Sequence, residues 1–187
     1  MATKEAIKVV TGEVRLSYPS LFQPRLQMDG STEKYECTLL ISKKDKKTIK
    51  AIEDAIEKAK EQGKNTTFGG STKGVKVYFR DGDEEREGEE FEDCMFLAAR
   101  SKYAPVVVDR ARQPILDASE IYPGCYGRVS INVYPYASKD ANGKIVSRGV
   151  GFGLNAVQKT RDGERLGGNY VDPEAEFDEL EDDDIFD

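Results

Sequence analysis

Hydrophobic residues alternate with polar ones in several short segments, which is the pattern of half-buried β-strands. The clearest segment is 127–136 (GRVSINVYPY), in which Val129, Ile131 and Val133 share one side. The same pattern, or a short apolar run, predicts further strands at residues 7–17, 35–41, 75–80, 94–99, 104–109 and 145–157. The intervening residues 18–31 contain Pro19, Pro24 and Gly30 and are expected to form a loop. We therefore expect a mainly β protein.

One segment has helical periodicity instead. Ile49, Ile52, Ile56 and Ala59 recur at spacings of three or four, Asp45 offers an N-cap and a glycine closes the segment. The pattern predicts a helix over residues 45–62. Its cluster of lysines could contact phosphate, although a solvated helix face is the favoured explanation.

Short strands, hairpins and one principal helix favour a small closed barrel, and the five-stranded OB-fold matches best. An Asn-Gly pair in residues 139–143 predicts a hairpin loop. The returning strand carries Gly149, Gly151 and Gly153, and alternating glycines indicate strong bending or the close approach of another backbone. A sandwich is the alternative fold. The expected organisation is one domain over residues 1–168 and a disordered acidic tail over residues 169–187.

Charge is segregated along the chain. The formal net charge is −7, but residues 172–187 hold ten acidic residues and no basic one. Without them the chain has 25 acidic and 28 basic residues, a net charge of +3. A second acidic run, residues 81–93, holds nine acids and one Arg, and its removal leaves 16 acids against 27 bases. A basic body with an acidic tail is typical of proteins that handle polyanions, although solvated acidic segments explain the charge as well.

The residue types argue against catalysis. The chain has no His, and Cys37, Cys94 and Cys125 form no CxxC pair, so zinc ribbons and disulfide frameworks are not expected. No phosphate-binding glycine loop precedes a helix, and the spacing of the acidic run 81–93 resembles neither an EF-hand loop nor a catalytic triad on strand ends. We expect no enzyme activity, no metal and no cofactor. Without a signal peptide or an apolar run long enough for a bilayer, a cytoplasmic protein is expected.

Basic and aromatic residues share the outward side of three predicted strands. Such a face suits single-stranded nucleic acid, because cations track the phosphates while bases stack on flat rings. The alternative is that the rings form a second core layer and the cations only solubilise the protein. The candidate nucleic-acid-binding residues are Lys76, Tyr78, Arg80, Phe96, Arg100, Lys102, Tyr103, Arg128, Tyr134 and Tyr136.

The tail ends in two apolar residues behind a run of carboxylates, which is the composition of a docking peptide. The candidate docking residues are Asp182, Asp183, Asp184, Ile185 and Phe186. This terminus, DDDIFD, resembles the DDDIPF-type terminus of bacterial single-stranded DNA-binding proteins. It departs from that terminus because no Pro precedes the Phe and because Asp187 follows it.

The body also resembles a family of tailed-phage proteins, long catalogued as a domain of unknown function and related to OB-fold single-stranded DNA-binding proteins. The resemblance covers nearly the whole chain. Its segments are VRLSYPSLFQP (14–24), KYECTLLISKKD (34–45), FLAARSKYAPVVVD (96–109), IYPGCYGRVSINVYPY (121–136) and GVGFGLNAVQKTRDGERLGG (149–168). It implies an OB-fold that binds single-stranded DNA without strong sequence preference and supports phage replication and recombination.

The expected partners are single-stranded DNA and, through the tail, replication or recombination proteins, with no membrane contact. A homo-oligomer is left open, since the sequence does not fix the oligomeric state. Two alternatives remain, an RNA-binding or strand-annealing protein and a metal-dependent nuclease.

Overall fold

A computed structural model describes residues 5–167, which form nine β-strands and two α-helices. The predicted acidic tail, including its docking residues, lies outside the described residues. The elements are β1 (Ile7–Val10), β2 (Val14–Leu26), β3 (Glu33–Ser42), α1 (Lys46–Lys64), β4 (Val75–Val77), β5 (Arg80–Asp81), α2 (Gly82–Glu85), β6 (Cys94–Ser101), β7 (Val106–Val108), β8 (Tyr126–Lys139) and β9 (Ile145–Arg161).

Five of the strands close into a ring, in the order β8, β2, β3, β6, β9 and back to β8. Neighbouring strands are antiparallel except β6 and β9, which are parallel. This is the connectivity of an OB-fold, so the predicted mainly β fold with one principal helix is confirmed. The other four strands attach to this ring: β1 to β8, β5 to β6, and β4 and β7 to β9.

The interior of the ring is filled by the side chains that alternate inward along each strand. On β8, Val129, Ile131 and Val133 are at most 1% exposed, as their alternation predicts. Because every second residue on these strands is committed to the core, the residues between them must lie on the outer surface.

Helix α1 packs against β1 and β8 through an apolar stripe that includes Ile52, Ile56 and Ala59. The Asp45 carboxylate caps the helix by accepting a hydrogen bond from the Thr48 backbone N–H, at 3.1 Å. The predicted helix is therefore confirmed, with its end two residues later than expected.

Strand β2 is longer than the sequence suggests. Residues 18–26 were expected to form a loop, but they continue the strand through Pro19 and Pro24. The prediction is wrong here because the register with β3 shifts between Ser17 and Ser20 and again before Arg25. At such bulges a residue without an N–H can stay in a strand.

The predicted strand over residues 75–80 is divided between two partners. Val75–Val77 pairs in parallel with β9, whereas Arg80–Asp81 pairs with β6. Residues 78 and 79 cross between them, and the Arg80 guanidinium lies 5.6 Å from the centroid of the Tyr78 ring.

No helix within residues 5–167 is long and apolar enough to span a bilayer. The three cysteines all lie in this range and form no disulfide.

Candidate nucleic-acid interface

The outer surface of the ring has a shallow floor of small side chains. Thr38 on β3 lies opposite Ala98 on β6, and two residues further along β6 Arg100 lies opposite Gly153 on β9. Small side chains keep this part of the surface low, so that a planar group could approach the strands closely.

A cleft of about 280 Å³ opens on this floor. Tyr18 is one of its walls. This tyrosine has a positive φ of 47°, lies at the first register shift of β2 and is 56% exposed. The bulge therefore turns an aromatic ring outward at the rim. The residues that line the cleft are Tyr18, Thr38, Arg80, Arg86, Phe91, Phe96, Ala98 and Arg100.

Two of the cleft's arginines are held against aromatic rings. The Arg80 guanidinium lies 4.8 Å from the centroid of Phe96 and 5.6 Å from that of Tyr78. The Arg86 guanidinium lies 5.4 Å from the centroid of the same Phe96 ring. Cation–π contacts of this kind fix the planar groups while leaving N–H donors free at their edges.

Phe96 itself is only 3% exposed. It packs edge-on against Phe91, with ring centroids 5.1 Å apart, and both rings lie beneath arginines. We therefore interpret Phe96 as a support for Arg80 and Arg86 instead of an open stacking surface.

Two further tyrosines lie on the glycines of β9. Tyr136 pairs with Gly149 and Tyr134 with Gly151, and a methyl group on Gly151 would lie 2.7 Å from the Tyr134 ring. Alternating glycines were expected to indicate strong bending or the close approach of another backbone, and the second of these is wrong at Gly149 and Gly151, which make room for aromatic rings. Burial raises the pKa of the Tyr134 phenol, neighbouring Tyr136 adds to the rise, and Arg100 opposes it.

Lys76 on β4 lies opposite Gly149, across β9 from Tyr136. This lysine is exposed, and so is Tyr78, by 51%. The structure therefore brings together seven of the ten predicted residues on one face: Lys76, Tyr78, Arg80, Phe96, Arg100, Tyr134 and Tyr136.

The other three predicted residues are not among those that line the cleft. Lys102 and the 82%-exposed Tyr103 occupy the turn after β6. Arg128 is six residues from Tyr134 along β8, a separation of about 20 Å in a strand. Its Nε donates a hydrogen bond to the Thr11 carbonyl, at 3.1 Å.

Three residues of this face were not predicted from the sequence: Tyr18 and Arg86, which line the cleft, and Arg25, which forms an ion pair of 3.3 Å with Glu36. Tyr18 and Arg25 lie in the part of β2 that was expected to be a loop, so no strand parity was assigned to them. Arg86 is the single basic residue in the acidic run, and this is the only feature of the sequence that sets it apart.

The acidic run of residues 81–93 is folded at the edge of the cleft. It contains α2 and a short 3-10 turn whose Phe91 is 7% exposed. Lys43 Nζ lies 2.7 Å from an Asp81 oxygen and 2.6 Å from an Asp83 oxygen. Hydrogen bonds from Lys43 lower the pKa of both carboxyls, so Asp81 and Asp83 stay ionised to lower pH than usual.

The same run also contacts Arg80 in the cleft. Arg80 Nε lies 3.2 Å from a Glu85 oxygen, but the two atoms are not aligned for a hydrogen bond. Among residues 5–167 no three His, Cys, Asp or Glu side chains are grouped so as to hold a metal ion.

A second cleft lies at the far end of β9, but its charges are mixed and already paired. Lys159 Nζ is 2.7 Å from Asp162, and Arg161 Nε is 2.8 Å from Glu13. The described residues that line this second cleft include no aromatic ring, whereas the first cleft is lined by the exposed Tyr18, so we assign the interface to the first cleft.

Comparison with known proteins gives consistent matches. The family model described as the ssDNA-binding protein of Enterobacter phage Enc34 matches residues 7–186. The putative protein p50 of Acyrthosiphon pisum secondary endosymbiont phage 1 is 30% identical over 181 residues, which is 93% of this chain and 94% of the relative.

Solved structures with the same fold include the single-stranded DNA-binding protein from bacteriophage Enc34 in complex with ssDNA. It has 27% sequence identity and a TM-score of 0.68, over 89% of this chain and 96% of that chain. Gp2.5, a single-stranded DNA-binding protein encoded by bacteriophage T7, is 16% identical with a TM-score of 0.64, over 94% and 97% of the two chains. At that identity the second likeness shows the fold alone.

The seating of Tyr134 on Gly151 can be tested by Gly151→Ala. The added methyl should push the ring into solvent and bring the Tyr134 pKa down towards the ordinary value of about 10. Site-resolved NMR titration of labelled tyrosine measures this. Gly153→Ala is the matched control, because its methyl would be no nearer than 3.6 Å to any neighbour. An unchanged Tyr134 titration in Gly151→Ala would contradict the described packing.

Proposed function

Because the chain belongs to the single-stranded DNA-binding protein family represented by that of Enterobacter phage Enc34, we propose that it coats single-stranded DNA during phage replication and recombination. The observation that carries the proposal is the outer face of the ring, where exposed tyrosines and arginines surround one cleft. Binding alone is proposed, with no catalytic step.

The geometry suits a strand laid across the ring. Arg80, Arg86 and Arg100 would neutralise successive phosphates, while Tyr18 and Tyr78 would offer rings on which bases stack. Tyr134, which is 44% exposed, extends this stacking surface towards β8.

The same face offers few groups that could read a base. Its floor consists of Thr38, Ala98 and Gly153. The nearby amides of Asn132 and Asn155 hydrogen-bond each other, at 3.0 and 3.1 Å, which commits the oxygen and one N–H of each. Stacking and phosphate contacts do not depend on base identity, so we propose binding without sequence preference.

The interface is proposed to include the residues predicted from the sequence, with the cleft at its centre and Lys102, Tyr103 and Arg128 at its margins. The C-terminal residues 182–186 are proposed to dock on replication or recombination proteins, with Ile185 and Phe186 as the apolar anchor. The proposed place of action is the cytoplasm of the bacterial host.

The first experiment compares affinities for single strands and duplexes of equal length by fluorescence anisotropy. We expect a clear preference for the single strand. If about 3–5 phosphates are neutralised per protomer, log K should fall with log[salt] at a slope of roughly −2 to −3.5. Equal affinity for the duplex would contradict the proposal. An RNA oligomer and a Mg²⁺ incubation in the same series distinguish an RNA-binding protein and a nuclease.

Tyr78→Ala should weaken single-strand binding by about 1–3 kcal/mol, because it removes one stacking ring. Tyr78→Phe is the matched control and should bind like the wild type, since it keeps the ring. Titration of both variants with a labelled oligothymidine, alongside melting curves, measures the effect. If Tyr78→Ala loses affinity only as far as it unfolds, the ring has a structural role.

Deleting residues 172–187 removes ten negative charges and changes the formal net charge from −7 to +3. A polyanion tethered to a basic face competes with DNA at an effective concentration on the order of millimolar. The truncated protein should therefore bind single strands more tightly at low salt, and the difference should close as salt screens the competition. Equal binding at every salt concentration would rule out competition. Phe186→Ala keeps the charge and should affect only the capture of partner proteins.

A further inference from the structure

Glu36 is a carboxylate on the outer face, where a polyanion is proposed to bind. Glu36 lies on β3 directly opposite Arg100 on β6. One of its oxygens is 3.0 Å from Arg100 Nε and the other is 3.3 Å from an Arg25 terminal nitrogen. The Glu36 side chain is 13% exposed, whereas those of Arg25 and Arg100 are 49% and 47% exposed.

A lone carboxylate here would repel phosphates and lower affinity. Its two oxygens are, however, each committed to a different arginine, and it lies beneath both. Each guanidinium has five N–H donors, so both arginines keep donors that face solvent. Without the carboxylate, two like charges at this separation would repel and spread, each with several rotamers to lose on binding.

The bridge also joins two parts of the face. Arg25 lies on the hairpin arm formed by β2 and β3, where it is opposite Lys34 in the strand register. Arg100 lies opposite Gly153, on the floor beside Tyr134. Glu36 therefore sets the spacing between a cation on the arm and a cation in the cleft.

We infer that Glu36 is a positioning residue, which holds Arg25 and Arg100 at the spacing needed to engage neighbouring phosphates of one strand. The inference rests on the proposed function. By its charge alone Glu36 would weaken the binding of DNA. As a positioning residue it would strengthen that binding.

The experiment measures whether removing the Glu36 charge strengthens or weakens binding. Glu36→Gln removes one negative charge and keeps the size of the side chain, so by charge alone it should tighten binding to oligothymidine. If Glu36 positions the arginines, the variant should instead bind at least about threefold more weakly, within the range of coupling between contacting groups. Its salt slope should also become shallower, because fewer phosphates are engaged.

Glu33→Gln is the matched control on the same strand. Glu33 is exposed and makes no ion pair with the residues that the structure describes, so its replacement should leave affinity unchanged or raise it slightly. In an Arg25→Ala and Arg100→Ala background nothing remains to be positioned, and Glu36→Gln should then no longer weaken binding.

Tighter or unchanged binding by Glu36→Gln, in a protein whose wild type binds single strands, would overturn the inference and leave the proposed function intact. A wild type that does not bind single strands would instead overturn the proposed function. Weaker binding that persists in the double-arginine background would show that Glu36 acts through the fold, and would also overturn the inference.

Discussion

The interface depends on how the ring closes. Strand β9 runs antiparallel to β8 along most of its length but meets β6 in parallel at the pair of Arg100 and Gly153. This junction places a β6 cation next to the tyrosines of β8. Because Gly153 has no side chain, no barrier separates the two. The ring's closure therefore creates a continuous outer surface from residues that are distant in the sequence.

The side chains on that surface are held in two ways. On β9 the glycines leave space that Tyr134 and Tyr136 fill, so that the rings lie against backbone. On β6 the buried Phe96 supports Arg80 and Arg86 from below. Both arrangements restrict side chains before any ligand arrives, which lowers the entropy lost on binding. The folded acidic run lies at one edge of the cleft and contributes Arg86 to its lining.

The sequence could reveal which side chains face outward, because inward and outward residues alternate along a strand. The inward alternation of Val129, Ile131 and Val133 placed Tyr134 and Tyr136 outside, and the structure agrees. Parity could not reveal the bulge that turns Tyr18 outward, because Pro19 and Pro24 are typical of loops. Nor could it show that Arg128 shares a side with Tyr134 but lies too far along β8, since parity gives the face and not the position. The folding of the acidic run depends on Phe91 and Lys43, which are distant in sequence.

The central claim is that single-stranded DNA lies across the cleft on the outer face of the ring. Photo-cross-linking with an iodouracil-substituted oligonucleotide, followed by peptide mass spectrometry, tests it most directly. The account predicts adducts at Tyr18, Tyr78 and Tyr134. Adducts confined to Tyr122 and Tyr126, which contact the cations Lys159 and Arg161 at the far end of β9, would contradict it.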